Sequence, residues 1–137
     1  MAAFNKFNIF LEDLAKKVHN LHTDTINAYL SNAAPNGTTH VVKTDIAEIS
    51  TGSGYTGPVD TQNVVSRTGG TTSVVGTDIV ITASGAVGPF RYVVIYNDTP
   101  TSPVDPLIGW WDYGSSISLA SGETFTIDFG ASMFDFS

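Results

Sequence analysis

Residues 90–97 read FRYVVIYN, the strongest strand signal in the protein. Phe90, Tyr92, Val94 and Tyr96 fall on one face of an extended chain, and Val93 and Ile95 on the other. β-Branched and aromatic side chains fit a pleated surface, and a strand that is apolar on both faces belongs in the middle of a covered sheet. Downstream, Asn97 to Pro106 holds three prolines and two acids and predicts an exposed loop. Leu107 to Tyr113 (LIGWWDY), Ser116 to Leu119 and Thr124 to Phe129 follow as strands, with Ser121-Gly122-Glu123 turning before the last. Phe125, Ile127 and Phe129 then form an inward stripe. Upstream, Gln62 to Thr68, Thr72 to Val75 and Asp78 to Ser84 are separated by Gly69-Gly70 and Gly76, the spacing of a meander of hairpins.

Further toward the N-terminus, Thr25 to Ser31 predicts a strand with Ile26, Ala28 and Leu30 on one face. Asn32 to Thr39 (NAAPNGTT) is turn chemistry, and Thr51 to Pro58 (TGSGYTGP) is a glycine-rich loop carrying Tyr55. His40 to Ile49 predicts a strand at its start and a short turn near its end. Helix competes in one place. Phe7, Phe10, Leu11, Leu14, Val18 and Leu21 trace one apolar helical face, which predicts a helix over 7–18, with Asn8 placed to cap it and Lys16 and Lys17 near its far end. Phe4 to Ile9 lacks the clean alternation of a strand. The fold class that follows is mainly β: an antiparallel β-sandwich or barrel-like domain with one short N-terminal α-helix. Residues 1–22 form the helical segment and 23–137 the β-domain of a single unit.

The chain has 137 residues, enough for one domain with a sizeable core. It has no cysteine, which removes disulfides, thiolate metal sites and thiol nucleophiles. Six basic against thirteen acidic residues give a formal charge of −7, which disfavours contact with phosphate backbones. No apolar run reaches a membrane span of roughly 20 residues, and no secretory h-region opens the chain. From Tyr92 onward there are six acids and no base, a polarity that can orient a protein against a larger partner.

The chain carries no nucleophile elbow, phosphate loop or His-Glu-x-x-His, so no catalytic residue is assigned and no enzyme is expected. Gly52, Gly54 and Gly57 match the letters of a dinucleotide fingerprint, but Pro58 follows at once where a helix is required. No cofactor site is read there. His19, His22 and Asp24 have a spacing that could close a facial metal set, although a solvated helix end accounts for them better. Asp98, Asp105 and Asp112 lack the close spacing of a calcium loop. No metal is assigned.

Trp110-Trp111-Asp112-Tyr113 is the most distinctive tetrapeptide. Adjacent tryptophans in a strand point to opposite faces, which places one in the core and the other at or near the surface, or else leaves both rings covered inside the monomer. An exposed indole serves as an interface anchor or as a stacking platform for a sugar. Arg91, inside an apolar strand, needs a carboxylate or an aromatic face; Asp112 is the preferred partner and Asp128 the second.

The stretches GPFRYVVIYNDTP, PLIGWWDYG and SGETFTIDFG resemble a family of small structural proteins encoded by tailed bacteriophages and prophages. NKFNIFLEDLAKKVHNL, LSNAAP, DIAEI and GSGYTG are similar to the same family, so the likeness covers nearly the whole chain. The closing ASMFDFS departs from relatives that end in a further short apolar strand. The resemblance implies a place in the virion, as a capsid decoration (cement) protein or a minor tail or fibre-attachment protein. It implies the major capsid protein as partner, a homo-oligomer (a trimer first), assembly in the host cytoplasm, and no cofactor, nucleic acid or membrane. Phe4, Phe7 and Phe10 in the N-terminal docking segment, with Tyr55, Trp110 and Trp111, are the interface candidates; Arg91 and Asp112 are the candidate structural ion pair. A carbohydrate-binding β-sandwich using Tyr55, Trp110 or Trp111 is the alternative from another class.

Overall fold

The structure, a computed structural model, describes residues 2–137. In chain order its elements are β1 (Phe4–Lys6), α1 (Asn8–Ala15), β2 (Ile26–Ser31), β3 (Val59–Asp60), β4 (Val64–Thr68) and β5 (Thr71–Val75). Then come β6 (Ile79–Thr82), β7 (Val87–Asn97), β8 (Leu107–Leu119), β9 (Thr124–Ile127) and β10 (Phe134–Phe136). All the strand pairs are antiparallel. A five-stranded sheet runs β1-β8-β7-β2-β3, a three-stranded sheet β10-β5-β4, and β6 pairs with β9. The protein is mainly β, antiparallel and sandwich-like, with a single short helix near its N-terminus.

The large sheet is buried on both faces, as its sequence requires. On one face Ala28, Leu30, Val93, Ile95, Ile108 and Trp111 meet Val74, Ile79, Ile81, Ile127 and Phe134 from the two smaller sheets. On the other, Tyr29, Tyr92, Val94, Tyr96 and Leu107 are covered by Phe7, Ile46 and the partly buried Trp110. That second cover comes largely from irregular chain with one 3₁₀ turn (Lys43–Asp45), where the Tyr29 hydroxyl donates to the carbonyl of Ile46 at 3.1 Å.

Several expected elements are corrected. Phe90 does not share a face with Tyr92. The register jumps from Phe90↔Ile117 to Tyr92↔Asp112, leaving Arg91 alone opposite several residues of β8. Such a bulge shifts the pleat, so Phe90 joins Val93 and Ile95 in the inter-sheet core. Gly114, at φ +87, lies in the looped-out part of β8, in a conformation that costs a glycine little.

Helix α1 ends at Ala15 rather than 18. Lys17 takes φ +65, its N–H bonds the Leu14 carbonyl at 3.1 Å, and the Val18 N–H bonds the Asp13 carbonyl at 2.9 Å. This is a Schellman stop made with lysine in the place usually held by glycine. Phe7, not Asn8, is the N-cap residue, and no side chain caps the helix. Phe4–Lys6 is a strand after all, because β8 offers it an edge to pair with. The start of the 40–49 segment makes one isolated bridge, Val42↔Pro106, instead of a strand. The expected meander stops after the β4–β5 hairpin, since β6 leaves to pair with β9.

Candidate interaction site

The N- and C-terminal strands meet at one side of the molecule. β1 is an edge of the five-stranded sheet and β10 an edge of the three-stranded sheet. Phe4 and Phe134 stack across the seam, with ring centroids 4.8 Å apart and planes 12° from parallel. Phe10 comes up from α1 and meets Phe134 edge-on at 5.7 Å, while Phe136 lies 6.3 Å from Phe10. Gly109 makes the seam possible, since a Cβ there would strike the Phe4 ring.

The result is a groove of about 370 Å³ lined by Phe4, Lys6, Phe10, Leu11, Phe134, Asp135 and Phe136. Leu11 is 48% exposed at its rim, and Phe4 and Phe136 are partly exposed. Such a surface can bury apolar area against a partner, and the unpaired strand edges beside it can accept main-chain hydrogen bonds. Sequence reasoning found Phe4 and Phe10 but missed Lys6, Leu11, Phe134, Asp135 and Phe136. The alternation in Phe134-Asp135-Phe136 was the available signal.

Phe10 forms the floor of that groove, and Phe7, Tyr55 and Trp111 lie elsewhere. Each of these four is no more than 2% exposed, so all are core side chains rather than surface anchors. Phe7 and Phe10 are buried because β1 and α1 pack onto the sheet instead of standing off it as a free docking arm. Tyr55 is buried because its loop closes the open edge of β2. Its hydroxyl accepts the Leu30 N–H at 3.1 Å and donates to Glu48 at 2.6 Å, while the Ile49 N–H bonds the Leu30 carbonyl. Burial, then the neighbouring Glu48 carboxylate, pushes the Tyr55 hydroxyl far above its usual range. Trp111 faces the inter-sheet core and Trp110 the opposite face, as strand geometry demands. Trp110 is partly exposed, but it rests on Phe7 at 4.6 Å and its edge lies under Gly37. The sugar-stacking alternative therefore loses Tyr55 and Trp111 as platforms.

Arg91 and Asp112 form a two-pronged pair across β7 and β8, at 2.8 and 3.2 Å. The guanidinium, together with the Gly114 N–H, holds the Asp112 carboxyl below its ordinary range. Asp98 and Asp105 sit close together at the β7–β8 loop, and burial followed by Asp98 raises the Asp105 carboxyl. Asp112 is engaged with Arg91, so the three acids do not converge.

His19, His22 and Asp24 are likewise committed within the fold. His22 Nδ1 accepts the Val65 N–H at 3.1 Å, and Asp24 accepts from Asn97 at 2.8 Å. His19 is buried and bonded through Nδ1 to Asn97. Among the described residues, no three His, Asp or Glu side chains gather into a metal-binding group. Gly52 and Tyr55 exchange main-chain hydrogen bonds in a tight turn, and strand rather than helix follows the Gly52–Gly57 stretch. The chain matches no protein-family model, no curated protein and no solved structure.

Proposed function

We propose that this chain is a structural component of a tailed-bacteriophage particle: a non-enzymatic decoration protein on the outer surface of the head, held by the major capsid protein and by other copies of itself. The sequence likeness is what supports the location. The observation that carries the reading in three dimensions is the terminal groove, an aromatic-lined recess flanked by two open strand edges. A protein that assembles into a shell needs such an apolar contact surface. The charge of −7 adds support, because it suits an outer position and opposes contact with packaged DNA.

The test is quantitative mass spectrometry of purified virions from a phage or induced prophage that encodes the chain, normalised to the major capsid protein. Hundreds of copies in a fixed ratio to the shell lattice are expected, and particles lacking the protein should lose DNA on heating sooner than intact ones. A handful of copies would replace this reading with a tail or fibre-attachment role. Absence from the particle would overturn it.

A further inference from the structure

The groove between β1 and β10 carries opposite charges on its two strands. Lys6 lines it from β1 and Asp135 from β10, and both are exposed. The ion pairs among the described residues are Lys16–Glu12, Lys43–Glu48 and Arg91–Asp112, so neither Lys6 nor Asp135 is neutralised within its own chain. Phe4, Phe134 and Phe136 line the same groove, with the exposed Leu11 at its rim. One surface thus offers a cation, an anion, an apolar projection and an apolar recess.

We propose that two copies of this chain pack groove to groove about a two-fold axis, Lys6 of each facing Asp135 of the other and Leu11 of each seated against the other's Phe4–Phe136 recess. A two-fold contact requires that whatever residue i offers, residue j on the same surface accepts. Lys6 with Asp135, and Leu11 with the phenylalanines, meet that condition. A foreign partner would need complementarity to the groove but no complementarity of the groove to itself. The opposed rim charges fix the register and steer encounter, while the desolvated rings hold the contact. The inference goes beyond a place on the capsid and makes the repeating unit a dimer instead of the trimer expected from the resemblance. It also holds or fails independently of any particle.

Lys6 and Asp135 have a competing explanation as edge charges that keep strands from pairing, which demands a monomer. Sedimentation velocity on the full chain, from micromolar to near-millimolar concentration at low salt, separates the two. The dimer predicts reversible association. Lys6→Glu and Asp135→Lys should each weaken it by about tenfold or more, and the double variant should return it to within about threefold of the parent. Leu11→Glu should abolish association. All three side chains are exposed, so melting curves that match the parent's at concentrations where it is monomeric verify that each variant is folded. A parent that stays monomeric throughout, a trimer in its place, a double variant no better than the singles, or indifference to Leu11→Glu would each overturn the inference.

Discussion

The side-chain amide nitrogen of Asn97 lies 3.0 Å from Nδ1 of the buried His19. The Asn97 oxygen accepts the Thr99 N–H at 3.1 Å, and its nitrogen also donates to Asp24 at 2.8 Å, so the amide is locked with its donor toward the imidazole. His19 must then be neutral, with its proton on Nε2. A proton added at Nδ1 would set donor against donor. Burial opposes the same charge more strongly than Asp24 favours it, and lowers the His19 pKa from 6.5 to about 4.

The sign follows from which state holds the proton. Between pH 6.5 and about 4 the unfolded chain protonates His19 and the folded chain does not. Stability is therefore complete above pH 6.5 and falls as the pH drops toward 4, by at most roughly 3 kcal/mol from this residue. Urea unfolding across that range should show the fall, and His19→Gln, which keeps an acceptor but cannot titrate, should flatten it. An equal slope in the variant would remove His19 as its source.

Asp13 behaves in the opposite sense. It is 5% exposed on the inner face of α1, and one carboxylate oxygen has no hydrogen-bond partner. Burial, then Glu12, raises its pKa, so its charge counts against the fold once the pH rises past the ordinary value of 3.8. Asp13→Asn should raise stability by on the order of 1 kcal/mol at pH 7, with the gain vanishing in acid. Thermal melts at pH 7 and pH 3 check both halves of the statement.

Tyr55→Phe removes one hydroxyl and keeps the ring. It leaves the Leu30 N–H without its acceptor and the Glu48 carboxylate with Lys43 alone as donor, for a cost of about 1–3 kcal/mol. Tyr55→Ala also empties the ring's site and should cost about 3–5 kcal/mol. Denaturant midpoints in that order are expected, whereas an exposed ligand-stacking tyrosine would leave both variants near the parent.

Gly109→Ala sets a methyl group against the Phe4 ring and the Asn5 carbonyl, so β1 must give way. The expected cost is about 1–3 kcal/mol. Hydrogen exchange should show β1 released while the β2–β7–β8 ladder stays protected.

The Arg91–Asp112 pair is 38% exposed on each side, and its contribution to stability is small despite its good geometry. Asp112→Asn should cost less than about 1 kcal/mol, and high salt should shrink that difference. A larger, salt-independent cost would assign the pair a role in holding the bulge itself.

Much of this architecture is legible along the chain where one segment decides its own fate. FRYVVIYN is apolar on both faces, and it becomes a central strand buried on both faces. What is not legible depends on a partner. Phe90 changes face because β8 loops out opposite Arg91, and nothing local to Phe90 announces that. Helix α1 stops where Lys17 turns left-handed, a position at which only glycine or asparagine would have been a readable signal. Phe4–Lys6 is too short to show a period and becomes a strand because β8 supplies the pairing. The groove was half visible: Phe4 and Phe10 stand out at one end of the chain, but their convergence with Phe134 and Phe136 is a property of the closed fold.

The Phe4–Phe134 stack also sets a timetable. β1 pairs with β8, and its leading ring rests on β10, so this segment finds its surroundings only after strands made roughly 100 residues later in the chain. At about 5–20 residues per second, a ribosome leaves Phe4, Phe7 and Phe10 waiting for several seconds before their neighbours exist. During that interval the nascent chain presents three uncovered aromatic rings to its surroundings. The Phe4–Phe134 stack can close only after residue 134 has been made.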